Sequence, residues 1–213
     1  MLRAMADVGA GSAFDIGKCE WFITHMTTSR ARQLSTADER RETVLATAIG
    51  AFAARGYWGT TTTEVAKAAG ISQAYVYRLF PSKESLFVAV VEHCFVKVRG
   101  ALEQAVATHG GGSPETVLHA MGDAYAQLIS DNDLMLIQLH AQAAAVSEPA
   151  VREAVRQGYA RLVEYVRGAS GGGEAQVQDF FATGMLCHLL VSIGADEVQA
   201  PWTRTLSAGI THY

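Results

Sequence analysis

The sequence predicts an all-α protein, because apolar residues recur at helical spacing and helix-capping residues divide the chain at regular intervals. Runs of alternating β-branched residues, which would indicate strands, do not stand out. Glycines cluster at 110–112 and 171–173, where we expect turns between helices. The predicted architecture is a three-helix head that contains a helix-turn-helix, joined through a long fourth helix to a C-terminal helical domain.

The first two helices are predicted from capping boxes, in which a threonine hydroxyl and a glutamate three residues later satisfy each other's backbone amides. Thr36 and Glu39 form the first such pair, and we expect that helix to end at Gly56. Residues 61–64 form the second pair and open a short helix that ends at Gly70.

Serines cap the next helices. Ser72 precedes the third helix, which must end by Phe80 because Pro81 follows. Ser82 precedes a long fourth helix. The later helices are expected to begin at Pro114, about Asp133, Pro149 and Glu174. Pro201 is expected to interrupt the chain and leave a short final segment.

Three regions follow from these boundaries. Residues 1–35 lack helical periodicity and are expected to be a flexible tail. A short basic stretch follows Met26, so a natural start at Met26 is an open alternative. Residues 36–83 form the predicted head, and residues 84–213 the predicted second domain.

Charge is distributed unevenly along the chain, whose net charge is −4. Residues 28–83 hold eight Lys/Arg against four Asp/Glu, a net of +4, whereas residues 84–213 hold seven against fourteen, a net of −7. A basic module beside an acidic remainder favours a polyanionic partner for the module. Chance unevenness is the alternative.

Several classes of protein are disfavoured. Cys19, Cys94 and Cys187 are odd in number and widely spaced, which is typical of free thiols in a reducing cytoplasm. The chain shows no secretory signal layout and no apolar stretch of membrane-spanning length, so we expect no membrane partner. Metal-ligand spacings, phosphate loops and nucleophile motifs are missing from the sequence, so we expect no cofactor and no enzymatic activity.

The stretch from Thr61 to Lys83 has the layout of a helix-turn-helix. Two short helical segments are separated by residues 69–72, where Gly70 can adopt a left-handed backbone and Ser72 can start the next helix steeply. Ala66 is small enough for the two helices to cross closely. This arrangement places a second helix in the major groove of DNA.

The residues of this stretch resemble the motif of the TetR-like (tetracycline-repressor-type) transcriptional regulators, and the resemblance covers residues 38–98. Beyond residue 98 the chain is similar to that family only in being helical. The matching positions are Thr60, Thr61, Glu64, Val65, Ala66, Ala69, Gly70, Ile71, Ser72, Val76, Tyr77, Phe80, Pro81, Ser82, Lys83, Glu84 and Leu86.

The resemblance implies roles for particular side chains. Phosphate contacts, which position a protein on DNA without reading its sequence, fall to Thr61, Thr62, Tyr77 and Lys83. Base contacts fall to Gln73, Ala74, Tyr75 and Arg78, with Thr63 assisting.

Some of these roles have alternatives. The Tyr77 ring could pack internally, Arg78 could be solvated or bind phosphate, and the threonines could serve only as caps. Two residues depart from the family pattern: Tyr75 stands where a small residue is usual, and Leu79 where an aromatic residue or histidine is usual. These departures affect the base contacts and leave the fold prediction intact.

The second domain is expected to enclose a pocket for a small-molecule inducer and to form a dimer interface, as the resemblance implies. Candidate pocket residues combine apolar and polar groups on helices that should be buried. They are Met121, Tyr125, Gln138, His140, Gln142, Tyr159 and His188. Each could instead be an ordinary core or surface residue. The interface is expected on residues 174–194 and the C-terminal segment, with Phe181, Leu189 and Ile193 as candidates.

The sequence therefore suggests a homodimeric repressor that binds a palindromic double-stranded DNA operator and releases it when an inducer binds. An activator or dual regulator on the same fold is one alternative. A helical adaptor protein that has lost DNA binding is a second alternative, although an adaptor would not need the basic head.

Overall fold

The computed structural model describes residues 39–109 and 111–210, and every structural statement below concerns those residues. The expectations for the tail, Met26, Cys19 and the Thr36 capping box lie outside the described residues. The account that follows concerns residues 43–213, which form one compact unit, and the first turn of α1 at residues 39–42.

Across the described ranges the chain is helical, with no strand, which confirms the all-α prediction. Nine α-helices occur there, named α1 to α9 in chain order. Their bounds are α1 39–59, α2 Thr62–Ala68, α3 Gln73–Leu79, α4 Lys83–His109, α5 Pro114–Ile129, α6 Asn132–Ala145, α7 Pro149–Ser170, α8 Glu174–Ser192 and α9 Pro201–Leu206. A 3-10 turn, Ala195–Glu197, separates α8 from α9.

The head helices begin where their capping residues predict. The Thr61 hydroxyl accepts from the Glu64 amide at 3.2 Å, and the Glu64 carboxylate accepts from the Thr61 amide at 2.9 Å. The chain reverses after α2 at Gly70, whose φ is +67°. The Ser72 hydroxyl then accepts from the Tyr75 amide at 3.2 Å and starts α3.

The predicted end of α1 at Gly56 is wrong. Gly56 has the left-handed backbone that often ends a helix, with φ +68°, yet α1 continues to residue 59. The added turn is held because the Tyr57 ring is buried 5.2 Å from the ring of Phe87. The Thr60 hydroxyl lies within hydrogen-bond distance of the carbonyls of Ala51, at 3.0 Å, and Gly56, at 2.9 Å, and so ties the chain after the helix back to α1.

The short final segment expected after Pro201 is present as α9. Pro201 is the first residue of that helix, because proline at the first helical position gives up an amide that has no partner there anyway.

The main core joins the head to the following helices. Buried apolar side chains of α1, α2 and α3 pack with the first half of α4 and with parts of α6 and α7. Phe52 and Phe87 meet at its centre with ring centroids 4.8 Å apart. A second cluster unites the second half of α4 with α5, α7 and α8. Packing is therefore continuous through the first half of α4, across the predicted boundary at residue 83.

None of the described helices is long and apolar enough to span a membrane.

Helices α4 and α7 approach closely where Gly158 faces Phe95. A β-carbon added at Gly158 would overlap the Phe95 ring. The absence of a side chain therefore lets the two helices pack at this distance and keeps the ring in place.

We expect Gly158→Ala to lower the free energy of unfolding by about 1–3 kcal/mol, because the new methyl group overpacks the contact with Phe95. Gly168→Ala on the same helix is the matched control, since its added carbon meets no atom within 4 Å. That control should raise stability by roughly 0.5–1 kcal/mol through helix propensity. Urea denaturation measures both, and equal effects of the two substitutions would contradict the packing argument.

Candidate functional site

Helix α3 is anchored by one side and open on the other. Val76 is fully buried, and Phe80, which ends the helix, is 2% exposed. Gln73, Ala74 and Arg78 are exposed on the rest of the helix. The structure thus presents most of the predicted base-contacting residues on one solvent-facing surface, which we call the α3 outer face.

The threonines of α2 serve different purposes. Thr61 and Thr63 are exposed, and the Thr61 hydroxyl caps the helix. Thr62 is 6% exposed, and its hydroxyl lies 3.2 Å from both the Tyr77 hydroxyl and the Gln73 amide nitrogen. The Thr62 side chain therefore ties α2 to α3 and is not presented for a phosphate contact.

Tyr77 and Gln73 gain fixed positions from this threonine. The Tyr77 ring is 44% exposed, so it does not pack internally, and its hydroxyl is held at the junction of α2 and α3. Side chains that are already ordered lose less conformational freedom on binding a ligand.

The basic residues of the site are also held by neighbours. The Arg78 guanidinium lies over the Tyr75 ring at 4.6 Å from its centroid. Lys83 begins α4, where its ammonium donates to the Tyr57 carbonyl at 3.0 Å and lies over the Tyr57 ring. The Lys83 ammonium therefore has a fixed position at the start of α4 and retains further N–H donors.

Acidic charge near the site is partly neutralised. Glu64 forms an ion pair with Arg55. The Thr61 backbone amide, followed by the Thr61 hydroxyl, holds the pKa of Glu64 below its ordinary value. The Glu64 carboxylate is thus engaged in the cap of α2.

A cavity of about 500 Å³ lies among α4, α5, α7 and α8. Tyr125, Gln138 and Tyr159, three of the predicted pocket residues, line it. The Tyr125 hydroxyl donates to the Gln138 side-chain oxygen at 3.0 Å. Burial raises the pKa of both tyrosines above the ordinary value.

The other predicted pocket residues lie elsewhere. Met121 is fully buried in the core, and Gln142 reaches the Tyr159 hydroxyl at 3.4 Å from a smaller neighbouring cavity. His140 points to α1, where its Nε2 lies 3.1 Å from the Ala53 carbonyl. His188 is buried behind Tyr125, with ring centroids 6.3 Å apart.

Aromatic residues that the sequence reasoning missed complete the cavity wall. Phe95 and Phe180 line it, and so does Phe181, which was expected at a dimer interface. The Phe181 ring packs 6.3 Å from Tyr159. Partly buried aromatics on two different helices were the available signal, but their meeting point depends on how the helices pack.

The remaining interface candidates do face solvent. Leu189 is 47% exposed and Ile193 is 52% exposed, and Met185 lies one turn earlier with 41% exposure. These three residues form an apolar stripe along α8, which we call the α8 stripe.

The head is similar in sequence to known regulatory proteins. Residues 44–90 match the family model described as bacterial regulatory proteins, tetR family. The HTH-type transcriptional regulator CymR of Pseudomonas putida is 30% identical over 133 residues, covering 62% of this chain and 64% of CymR. The nucleoid occlusion factor SlmA of Haemophilus influenzae is 44% identical over 59 residues, 27% of either chain. The chain thus spans less than two thirds of each of these relatives.

The fold is similar to that of solved structures. A putative TetR-family transcriptional regulator from Rhodococcus sp. superposes with a TM-score of 0.64 at 21% identity. The superposition covers 80% of this chain and 96% of that one. The likeness therefore extends through the helices that follow the head.

His188 gives a test of the packing behind the cavity. Neither ring nitrogen has a hydrogen-bond partner among the described residues, and burial lowers the pKa of the ring. The unfolded chain therefore binds a proton more readily than the folded chain, so stability falls as the pH drops through the ordinary histidine pKa.

We expect His188→Leu to raise the free energy of unfolding by about 1 kcal/mol, because it removes unpaired buried polar atoms. The gain should grow between pH of about 7 and 5, where the wild type loses stability. The exposed His109→Leu is the control and should leave that pH dependence unchanged. Loss of stability in His188→Leu at both pH values would contradict the account.

Proposed function

Because residues 44–90 match the family model of bacterial regulatory proteins, tetR family, we propose that this chain is a TetR-like homodimeric transcription repressor that releases a palindromic operator when a small molecule enters the cavity. The observation that carries the proposal is the α3 outer face, a short helix anchored by Val76 and otherwise exposed. A helix of this kind fits the major groove, where each base pair presents a distinct pattern of donors and acceptors.

DNA contacts divide into reading and positioning. Gln73 and Arg78 on the α3 outer face can bond adenine and guanine edges, and Ala74 and Tyr75 can contact thymine methyl groups. Tyr77 on α3 and Lys83 at the start of α4 supply a hydroxyl and an amine suited to phosphate oxygens. Thr61 and Thr63 are exposed beside them, and Thr62 supports Tyr77 and Gln73 from below.

Dimer formation is supported by the α8 stripe. Met185, Leu189 and Ile193 expose an apolar surface along one helix, where a second copy would bury it. Two-fold symmetry would place two copies of α3 one helical turn of DNA apart, about 34–36 Å. A light-scattering mass of 22.8 kDa, that of a single chain, would contradict the dimer.

Release of DNA is supported by helices that span both parts of the molecule. Leu86 and Phe87 of α4 belong to the core shared with the head, while Phe95, Val98 and Leu102 of the same helix line the cavity. A ligand that favours a different tilt of α4 would therefore displace the head, and needs only a difference in affinity for the two states.

Helix α6 gives a second connection. Gln138 lines the cavity, and two residues later His140 contacts the Ala53 carbonyl of α1 on the opposite side of the helix. A β-carbon at Gly56 would lie 2.9 Å from the His140 ring, which shows how closely the ring packs against the end of α1.

The function is tested by the binding of the purified protein to DNA fragments from upstream of its own gene and of the neighbouring genes. Fluorescence anisotropy measures this binding. We expect tight binding to one fragment, with an affinity that falls steeply as salt rises. A transcription reporter on that fragment should gain activity when the gene is deleted. Loss of reporter activity would instead indicate an activator, and salt-sensitive binding to no fragment would indicate an adaptor.

Lys83→Ala should weaken binding to the operator and to random DNA alike, and reduce the salt slope by about two, because it removes one phosphate contact per head and therefore two per dimer. Gln73→Ala should weaken operator binding by about 1–3 kcal/mol and leave random DNA nearly unaffected, because it removes a base contact. Lys67→Ala, at an exposed lysine of α2 that is not among the predicted contacts, is the control.

Melting temperatures of all three variants establish that they fold, since Lys83 also donates to the Tyr57 carbonyl. Equal effects of Lys83→Ala and Gln73→Ala on specific and random DNA would contradict the division into positioning and reading residues.

A further inference from the structure

Resting on the proposed function, we propose that the cavity binds an aromatic ligand that carries no negative charge. The cavity wall and its mouth differ in chemistry, and together they restrict the charge of an occupant. A neutral ring system fits the interior, and a positive group is accommodated only at the mouth.

The interior is shaped for an aromatic body. Five rings line a volume of about 500 Å³, which is in the range of pockets for small organic ligands: those of Phe95, Tyr125, Tyr159, Phe180 and Phe181. Phe95 and Phe181 both pack edge-on against Tyr159, at centroid distances of 5.3 and 6.3 Å. Rings in this arrangement offer both faces and edges to a planar guest.

Charge around the cavity is negative. Among the described residues no lysine or arginine lines it, whereas the carboxylates of Glu115 and Asp179 do. Both carboxylates belong to exposed residues, so they lie at the mouth. His119 is the one basic side chain in the described lining, and its ring lies 3.9 Å from the Asp123 carboxylate. An anionic ligand would therefore find like charges at the mouth.

The deeper part of the cavity disfavours any charge. Burial there raises the pKa of Tyr159 and Tyr125, which is the signature of a site where an anion is poorly solvated. An anionic ligand thus lacks a cationic partner both inside the cavity and at its mouth. A cationic group can bind between the aromatic faces and the mouth carboxylates.

The Tyr159 hydroxyl can orient a ligand. Within the described part of the chain it donates to the Met185 sulfur, at 3.7 Å, and it accepts from Gln142 at 3.4 Å. Sulfur is a weak acceptor, so a carbonyl or ether oxygen of the ligand would replace it at a gain. The ligand is therefore expected to pair an aromatic body with a neutral oxygen acceptor.

Three probes with one ring system and different charges test the proposal: 2-naphthamide, 2-naphthylmethylammonium and 2-naphthoate. Isothermal titration calorimetry of the full chain without DNA gives their affinities. We expect the amide and the ammonium to bind at least about tenfold more tightly than the carboxylate, because only the carboxylate meets uncompensated negative charge.

Variants separate the two parts of the site. The double variant Glu115→Gln, Asp179→Asn should reduce the preference for the ammonium over the carboxylate by about tenfold, since it removes both mouth charges. Tyr159→Phe should weaken the amide about fivefold through loss of the hydroxyl donor. Glu164→Gln, on an exposed face of α7 outside the lining, is the control and should change neither affinity.

The proposal is overturned if the carboxylate binds as tightly as the other probes, or if none of the three binds up to its solubility limit. Because the titration contains no DNA, this failure is distinct from failure of the repressor function, which appears as absent binding to upstream fragments. Binding of the amide without any change in operator affinity would support the site's chemistry and contradict the release mechanism.

Discussion

The burial of Val76, on the inner side of α3, is the constraint on which the rest of the molecule depends. A seven-residue helix has little stability of its own, so α3 exists because its inner side packs into the head core. The same packing turns Gln73, Ala74 and Arg78 outward. Thr62 then fixes the near end of the outer face by bonding Gln73 and Tyr77. Exposure of these side chains is thus a consequence of how the helix is anchored.

Local chemistry allowed much of the head to be predicted. Thr61, Ser72 and Ser82 mark helix starts through bonds to nearby amides, which depend on a few neighbouring residues only. The end of α1 was not predictable in the same way. Gly56 adopts the left-handed backbone, but the contact of Tyr57 with Phe87, thirty residues later in the chain, extends the helix. Contacts between distant residues override local signals there.

The second half of the chain shows where such reasoning stops. Helical periodicity identifies which side of a helix is apolar, but the neighbour that each side meets is set by packing. Phe181 therefore lines the cavity where a surface position was expected, and His140 contacts α1 where a cavity position was expected. Tyr125, Gln138 and Tyr159 were found because polar groups on buried helices need partners. The negative charge around the cavity could not be predicted from the sequence, because it depends on which residues the packing brings into the lining.

Photocrosslinking at position 75 tests the central claim most directly. A benzophenone amino acid in place of the half-buried Tyr75 would stand on α3 next to Ala74 of the α3 outer face, and the same group in place of the exposed Val96 would stand on α4. The account predicts that irradiation crosslinks position 75 of the dimer to operator DNA, and that excess unlabelled operator blocks this crosslink. Position 96 is expected to give no DNA adduct. Crosslinks from position 75 to protein alone, on operator-bound samples, would contradict it.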